Sequence, residues 1–434
     1  MSKINVRSFS NENEDGAPDL VGITTFSATS YFVPTRGTTK QRPSDHVEVG
    51  SLRYNYDTKN LEYYRGNTIG WVQFELIDPE LGRGPGFNVE GLGARALFGG
   101  GHSPGYVDTI DFITISTLGN AQDFGDFAGT DRGFGGGASS RTRALFMGGY
   151  AGTPARNAID FNVFSSTGNS IDFGNLSQDV SRPAGMASDQ VRGMHAGGDT
   201  VPGTRQITQI DYVVMAQQGN GVDFGDTTRG VSAPQATASS TRSVCYGGNG
   251  GGDNIVEYVN IMTQGNAVDF GDCTIGRQEA GAAGNATRAI VLGGSYPDAS
   301  IDYVTISTTG NAADFGDCST VIWNTRGGNC GNAVRGLIAG GGTSLPTNII
   351  QYVTISTLGD TVDFGDRLVA KGQTGHMSST TRGVFAGAGE KDTNVVDYVN
   401  IMTTGDAIDF GDLSANGSDG YGWAAGASNG HGGL

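Results

Sequence analysis

Of the 434 residues, 73 are glycine, more than twice the usual share of about 7%, while charged residues make up only 16% and hydrophobic residues 37%. That balance excludes a helix-rich enzyme of the ordinary kind, and it also excludes disorder throughout, because enough apolar material is present for a core. The net charge of −17 repels phosphate backbones and anionic lipid, and no stretch approaches the run of about 18 apolar residues that spans a bilayer, so neither nucleic acid nor membrane insertion is expected.

From the N-terminus, Met1 to Asn11 is polar with no apolar segment of the kind that directs export. Residues 1–46 are rich in Ser, Thr, Asn and Asp and are broken by Pro18, Pro34 and Pro43; they predict an extended docking arm. Residues 47–80 predict a small β module: Gly50-Ser-Leu-Arg-Tyr-Asn-Tyr-Asp57 and Leu61-Glu-Tyr-Tyr-Arg-Gly66 form a hairpin about the turn Asp57 to Asn60, and Trp71-Val-Gln-Phe74 adds a strand. Residues 81–88, with Pro85, read as a linker.

The remainder, 89–434, is repetitive. One phrase is written seven times: Asp123-Phe-Gly-Asp126, then copies beginning at Asp172, Asp223, Asp269, Asp314, Asp363 and Asp409, the second ending in Asn175. A second phrase, Arg followed by apolar residues and a glycine pair or near-pair, opens at Arg95, Arg143, Arg192, Arg242, Arg288, Arg335 and Arg382. Between them an aromatic sits in an alternating stretch: Phe112, Phe161, Tyr212, Tyr258, Tyr303, Tyr352 and Tyr398. No window keeps the 3.6-residue period of a helix, and each unit divides into four short strands, A to D. In the unit around Arg288 these are Ala280 to Ala286, Ala289 to Leu292, Ile301 to Ser307 and Ala312 to Phe315. Strand B is apolar throughout, as expected of a strand covered on both faces, and the small residues of strand A suit a crowded axis. A period of 45 to 51 residues with four strands predicts an all-β fold, a seven-bladed β-propeller. The first unit has only a weak strand A at Val89 to Gly93, whereas Gly422 to Ser428 has strand A character. The C-terminal strand is therefore expected to pair with strand B at Arg95 and close the ring.

An apolar strand ending in Gly-Gly, then strands carrying a first and a second aromatic, resembles the kelch repeat over residues 95–428, with the Phe of Asp-Phe-Gly-Asp where a kelch blade usually has Trp. This resemblance implies a kelch-like propeller. The phrase Gly50-Ser-Leu-Arg-Tyr-Asn with Leu61-Glu-Tyr-Tyr-Arg-Gly and Trp71-Val resembles a short β module of tail-fibre and other virion proteins of tailed bacteriophages. Together with the glycine-rich repeats and Thr-Gly-Asn-Ala turns it is similar to structural proteins of marine cyanophages.

Chemistry is sparse. The four cysteines, Cys245, Cys273, Cys318 and Cys330, show no metal or disulfide spacing and read as buried small apolar residues. The kelch-type copper oxidases need two His, two Tyr and a Tyr-linked Cys about one metal; here His46 precedes the repeats, His102 and His195 follow strand B in different units, His376 belongs to a strand A and His431 lies in the tail. No nucleophile elbow, P-loop or metalloprotease helix occurs, so no catalytic residue, metal or cofactor is expected. The repeated Asp-Phe-Gly-Asp reads as structural, its Phe packing between blades and its acids bonding turn amides or the repeated strand B Arg. Of the 27 basic residues 22 are Arg, a bias toward geometrically fixed contacts.

Antiparallel succession puts the nearly constant A–B and C–D turns on one face and the varied B–C and D–A loops on the other, where a ligand would be sought. That face receives Arg132, Arg182, Arg229, Arg277, Arg326 and Lys371 from D–A loops, and Tyr106, Tyr150 and Tyr296 from B–C loops. These cations could grip a host envelope glycan, with internal pairing to blade acids the competing use. The expected function is that of a phage virion component present in multiple copies, in a tail fibre, decoration or host-recognition head. It would be assembled in the host cytoplasm and docked to other virion proteins through residues 1–86. A packed structural joint of tail or capsid and a carbohydrate-processing propeller enzyme are the alternatives.

Overall fold

A computed structural model describes residues 34–43, 47–58, 60–73, 95–102, 105–129, 131–133, 135–151, 155–182, 184–186, 191–200, 206–248, 254–278, 280–294, 299–320, 329–341, 347–370, 375–387, 393–414 and 424–429. The chain divides into two compact units, Met1–Pro79 and Glu80–Leu434.

The first unit holds one four-stranded sheet, β1 (Thr35–Gly37), β2 (Leu52–Asn55), β3 (Asn60–Tyr64) and β4 (Trp71–Gln73), in that order. β2 to β4 form the antiparallel meander expected from their alternation. β1 and a 3-10 turn at Thr39–Gln41 fall inside the predicted arm and correct it: β1 pairs in parallel with β2, a long-range contact that a local reading of a polar segment cannot see. What holds it is buried charge. The Glu62 carboxylate is fully buried and is bonded by Arg42 at 2.6 Å, by Arg53 at 2.5 Å and by Asn55 at 3.1 Å. Burial alone would raise its pKa, but the bonds from Arg42, Asn55 and Arg53 and the Arg42 charge outweigh it and hold the carboxyl below its ordinary range.

The described residues of the second unit form seven four-stranded antiparallel sheets, each in the order A-B-C-D. The first takes its strand A from the far end of the chain: Ala425–Ser428 pairs with Arg95–Gly99, which is followed by Thr109–Thr114 and Gln122–Asp126. The fifth, the unit around Arg288, comprises Gly281–Gly284, Arg288–Leu292, Ser300–Thr305 and Ala313–Asp317, within two residues of the expected limits. The weak strand A candidate at Val89 to Gly93, like the linker, lies outside the described residues.

Seven apolar clusters fill the spaces between neighbouring sheets. Phe124 of the first sheet packs with Phe146 and Phe164 of the second, and Phe315 of the fifth with Ile338 and Ile355 of the sixth. Phe410 of the seventh packs with Phe98 and Ile115 of the first. Contact thus runs from sheet to sheet and from the last back to the first, an all-β arrangement compatible with a β-propeller. Strand D is bulged against strand C in every sheet. In the fifth, Ile301 faces Gly316 and Asp302 faces Asp314, so Phe315 is the extra residue, turned into the core.

Candidate functional site

The residues that recur in all seven sheets are spent on holding the sheets together. Each strand B arginine lies over the strand C aromatic of its own sheet, as Arg288 does over Tyr303 at 4.6 Å and Arg335 over Tyr352 at 4.3 Å. Each then donates to a main-chain carbonyl just beyond strand C of the next sheet: Arg288 to Ile355 at 2.8 Å, and Arg382 of the seventh sheet to Ile115 of the first, also at 2.8 Å. The aromatic meets the Asp-Phe-Gly-Asp phenylalanine edge to face, for example Tyr303 and Phe315 at 5.9 Å. The acids do bond amides, since Asp314 accepts from the Gly316 N–H at 3.1 Å. Among the described residues they form no ion pair with the strand B arginines, which donate to carbonyls.

A second belt ties each strand D to the C–D turn of the next sheet. Gly310 N–H donates to Phe270 at 2.7 Å, Ala312 N–H to Asp272 at 2.8 Å, and Asp272 N–H to the Asn311 side chain at 3.2 Å; the seventh sheet meets the first through Gly119, Ala121 and Asn120 in the same way. The close approach requires glycine. Gly271 has φ +143°, and a Cβ there would lie 2.5 Å from the Gly310 carbonyl carbon.

A third belt uses the polar residue of strand C, which receives the segment leaving strand D of the preceding sheet. Asp302 accepts from Thr274 and forms an ion pair with Arg277 at 3.0 Å. Asp160 pairs with Arg132 at 2.5 Å and Asp397 with Arg367 at 2.9 Å; Gln351 bonds Ser319 and Thr320, and Asp111 receives both donors of Ser414. These strand C side chains are buried. Burial pulls the Arg132 guanidinium below its ordinary value and lifts the Asp160 carboxyl above its own, each offset only in part by the other's charge.

The sequence-selected cations therefore separate. Arg132 and Arg277 are buried. Arg132 stacks on Phe127 at 4.1 Å beside its ion pair, and Arg277 also donates to the carbonyls of Gly293 and Ser300. Both spend their donors inside the protein. Arg229 donates to Gly247 at 2.9 Å, and its Nε and Nη1 are buried without a hydrogen bond. Arg182 is half-buried with φ +51°. Arg326, Lys371 and Tyr296 lie outside the described residues. Tyr106 and Tyr150 come together, with ring centroids 5.5 Å apart and planes perpendicular, and His102 lies 5.0 Å from Tyr106. Sequence reasoning missed Arg367, which directly follows Asp-Phe-Gly-Asp and not a loop, and Arg156, which opens a strand C.

His195 is placed in strand B (Arg192–Ala196), not after it, and is fully buried 3.5 Å from Asp211. Burial works to raise Asp211, but His195 and Ser177 outweigh it and hold the carboxyl below its ordinary value. All four cysteines are free and buried; burial pushes the thiols of Cys273, Cys318 and Cys330 up to about 12, leaving almost no thiolate at neutral pH. Among the described residues no group of three or more His, Cys, Asp or Glu could hold a metal ion, and no helix is long and apolar enough to cross a membrane. In comparisons with known proteins, the chain matches no family model and no curated protein.

Proposed function

We propose that the chain is a structural protein of a bacteriophage particle, docked by its first unit and displaying the second as a seven-bladed, kelch-like propeller. The observation that carries this reading is the division of labour among the repeats. Strand B Arg, strand C aromatic, bulged Phe and turn Asn are spent on sheet-to-sheet contacts, so the sheets differ mainly at the B–C and D–A connections. A constant frame with variable loops on one side suits display and recognition. The propeller assignment is supported by the sheet order and by contact from the seventh sheet back to the first.

Docking by the first unit is supported by the large apolar side chains it leaves exposed, Val49, Leu52, Tyr56, Leu61 and Ile69, and by a cleft of 340 Å³ lined by Arg36, Leu52, Arg53 and Trp71. The packed-joint reading has one observation in its favour: Ile171, Val222, Val268, Val362 and Ile408, at the same place in five D strands, are each about half exposed and would suit lateral packing against neighbours.

Purified particles of the phage encoding this chain, analysed by quantitative mass spectrometry and cryo-electron microscopy, test the proposal. The chain is expected in stoichiometric multiple copies, its first unit in contact with other virion proteins. Its absence from particles overturns the reading, and D strands buried against neighbouring subunits would favour the joint.

A further inference from the structure

The second and third sheets depart from the other five. Their C strands, Arg156–Val163 and Ile207–Val214, have 8 residues and their D strands, Ile171–Val180 and Val222–Val231, have 10; in the fifth sheet the counts are 6 and 5. The added pairs, Arg156 with Val180 and Ile207 with Val231, extend both hairpins at the end that carries the B–C and D–A connections. Isolated bridges continue the extension: Gly133 with Tyr150, Tyr150 with Ala155, and Ser181 with Asp199. One patch of backbone thereby fixes Tyr106, Tyr150, Arg156 and Arg182. The Arg156 N–H donates to Gly149 at 2.9 Å, and Val180, opposite Arg156, is two residues from Arg182. Gly133 lets Tyr106 lie against main chain, since a Cβ there would be 3.3 Å from the ring.

The chemistry of this patch is aromatic and cationic. Both tyrosines are half-buried and perpendicular, so each offers part of a ring face and a hydroxyl. Burial, then the neighbouring Tyr150, raises the Tyr106 hydroxyl above its ordinary value, with the Arg182 charge opposing, so it keeps its proton at neutral pH and can donate a hydrogen bond. The Arg156 Nε is buried with no hydrogen-bond partner, and the charge beside it is that of Arg132, which is already engaged by Asp160. A donor left unmade is costly, and no other described residue forms a hydrogen bond or ion pair with the Arg156 guanidinium, so its charge is left for an acceptor arriving from outside.

We propose that Tyr106, Tyr150, Arg156 and Arg182 form a binding site for an acidic saccharide, the sugar ring lying on the tyrosines and its carboxylate on the arginines. The inference rests on the display reading above and gives it a ligand class and a location on one sector of the variable face. A planar guanidinium matches a carboxylate, and the rings supply the apolar surface that a bare anion would not use.

The test is isothermal titration of the full chain with tetragalacturonic acid, with neutral maltotetraose and with inorganic sulfate. Saturable binding of tetragalacturonic acid alone is expected, weakening as salt is raised. Arg156→Gln should reduce its affinity by about tenfold or more, the worth of one charge-assisted hydrogen bond, with unchanged melting. Tyr150→Ala should do the same, and if that variant does not fold, Tyr150→Leu replaces it. No binding of tetragalacturonic acid, equal binding of maltotetraose, sulfate binding of the same strength, or indifference to Arg156→Gln overturns the proposal. Such a failure leaves the virion reading standing, since that is judged by the composition of particles. Conversely, a chain absent from particles that still binds the acidic sugar fails only the virion reading.

Discussion

The glycine that follows the bulged phenylalanine does work that no other residue could do there. At Gly271 an L side chain would be strained by φ +143° and would also strike the Gly310 main chain, which cannot withdraw without breaking the Gly310 to Phe270 bond. Gly271→Ala should therefore cost about 3 kcal/mol or more, read as a lowered urea midpoint, while alanine at the open, ordinary-φ position Gly129 should cost little. The carboxyl of Asp111 poses a different question. Burial raises its pKa, the bonds from Ser414 lower it, and the charge of Asp123 raises it, the net shift being upward. An acid raised in the folded state is destabilising at pH above that folded value, and the cost is relieved as pH falls through it toward the unfolded range of about 4. Asp111→Asn should thus melt higher than the parent at about pH 7 and match it at about pH 4, with the Ser414 hydroxyl turning to accept from the amide. Gln351, a neutral amide at the same place in the sixth sheet, already bonds its neighbours without a charge, its Oε1 accepting from the Ser319 and Thr361 hydroxyls and its Nε2 donating to the Thr320 carbonyl.

At the level of strands, stability depends on how the exit of each strand D is tied to the next strand C. Asp302 joins the segment after Val268–Asp272 to Ser300–Thr305 by accepting from Thr274 and pairing with buried Arg277. Asp302→Ala leaves that guanidinium buried without its counter-charge and should cost about 3–5 kcal/mol, measured by urea unfolding at neutral pH. The strands themselves were legible because period-two alternation and Gly-Gly stops are local signals, and seven copies average away the noise of any one. Less legible were features that depend on partners far along the chain. β1 is held by parallel pairing to β2, and Glu62 draws Arg42 into a segment whose composition alone suggests an arm. The lengthened hairpins of the second and third sheets carry no distinct phrase, because the residues added, such as Ser177 to Val180, are indifferent to strand or loop until Arg156 lies opposite. The same limit applies to the candidate site. A list of loop arginines could not say that Asp160 and Asp302 would take Arg132 and Arg277, whereas Tyr106 and Tyr150 were visible as aromatics in variable loops.

For the molecule as a whole, the decisive contact is the one made by its far end. Ala425–Ser428 supplies strand A of the first sheet, its Ala425 and Ala427 are buried with Leu97 and Phe146, and Ser139 of the second sheet donates to the Ser428 carbonyl at 2.9 Å. Removing residues 424–434 should strip one edge of Arg95–Gly99, uncover that cluster and break the hydrogen bond from Ser139, losses that fall where the last sheet meets the first. In the proposed closed propeller there is no spare end at which to absorb such a defect, so the cost should be felt by every sheet and not by the first alone. The expected result is a single transition lowered by about 10 °C or more, with increased self-association through the bared strand. Deleting residues 1–79, a compact unit of its own, should leave the melting of the remainder within about 2 °C of its value in the full chain. Equal effects of the two truncations in differential scanning calorimetry would show that the chain's last strand does not carry this role. A two-step transition after removal of 424–434 would show that the sheets melt independently instead of as one ring.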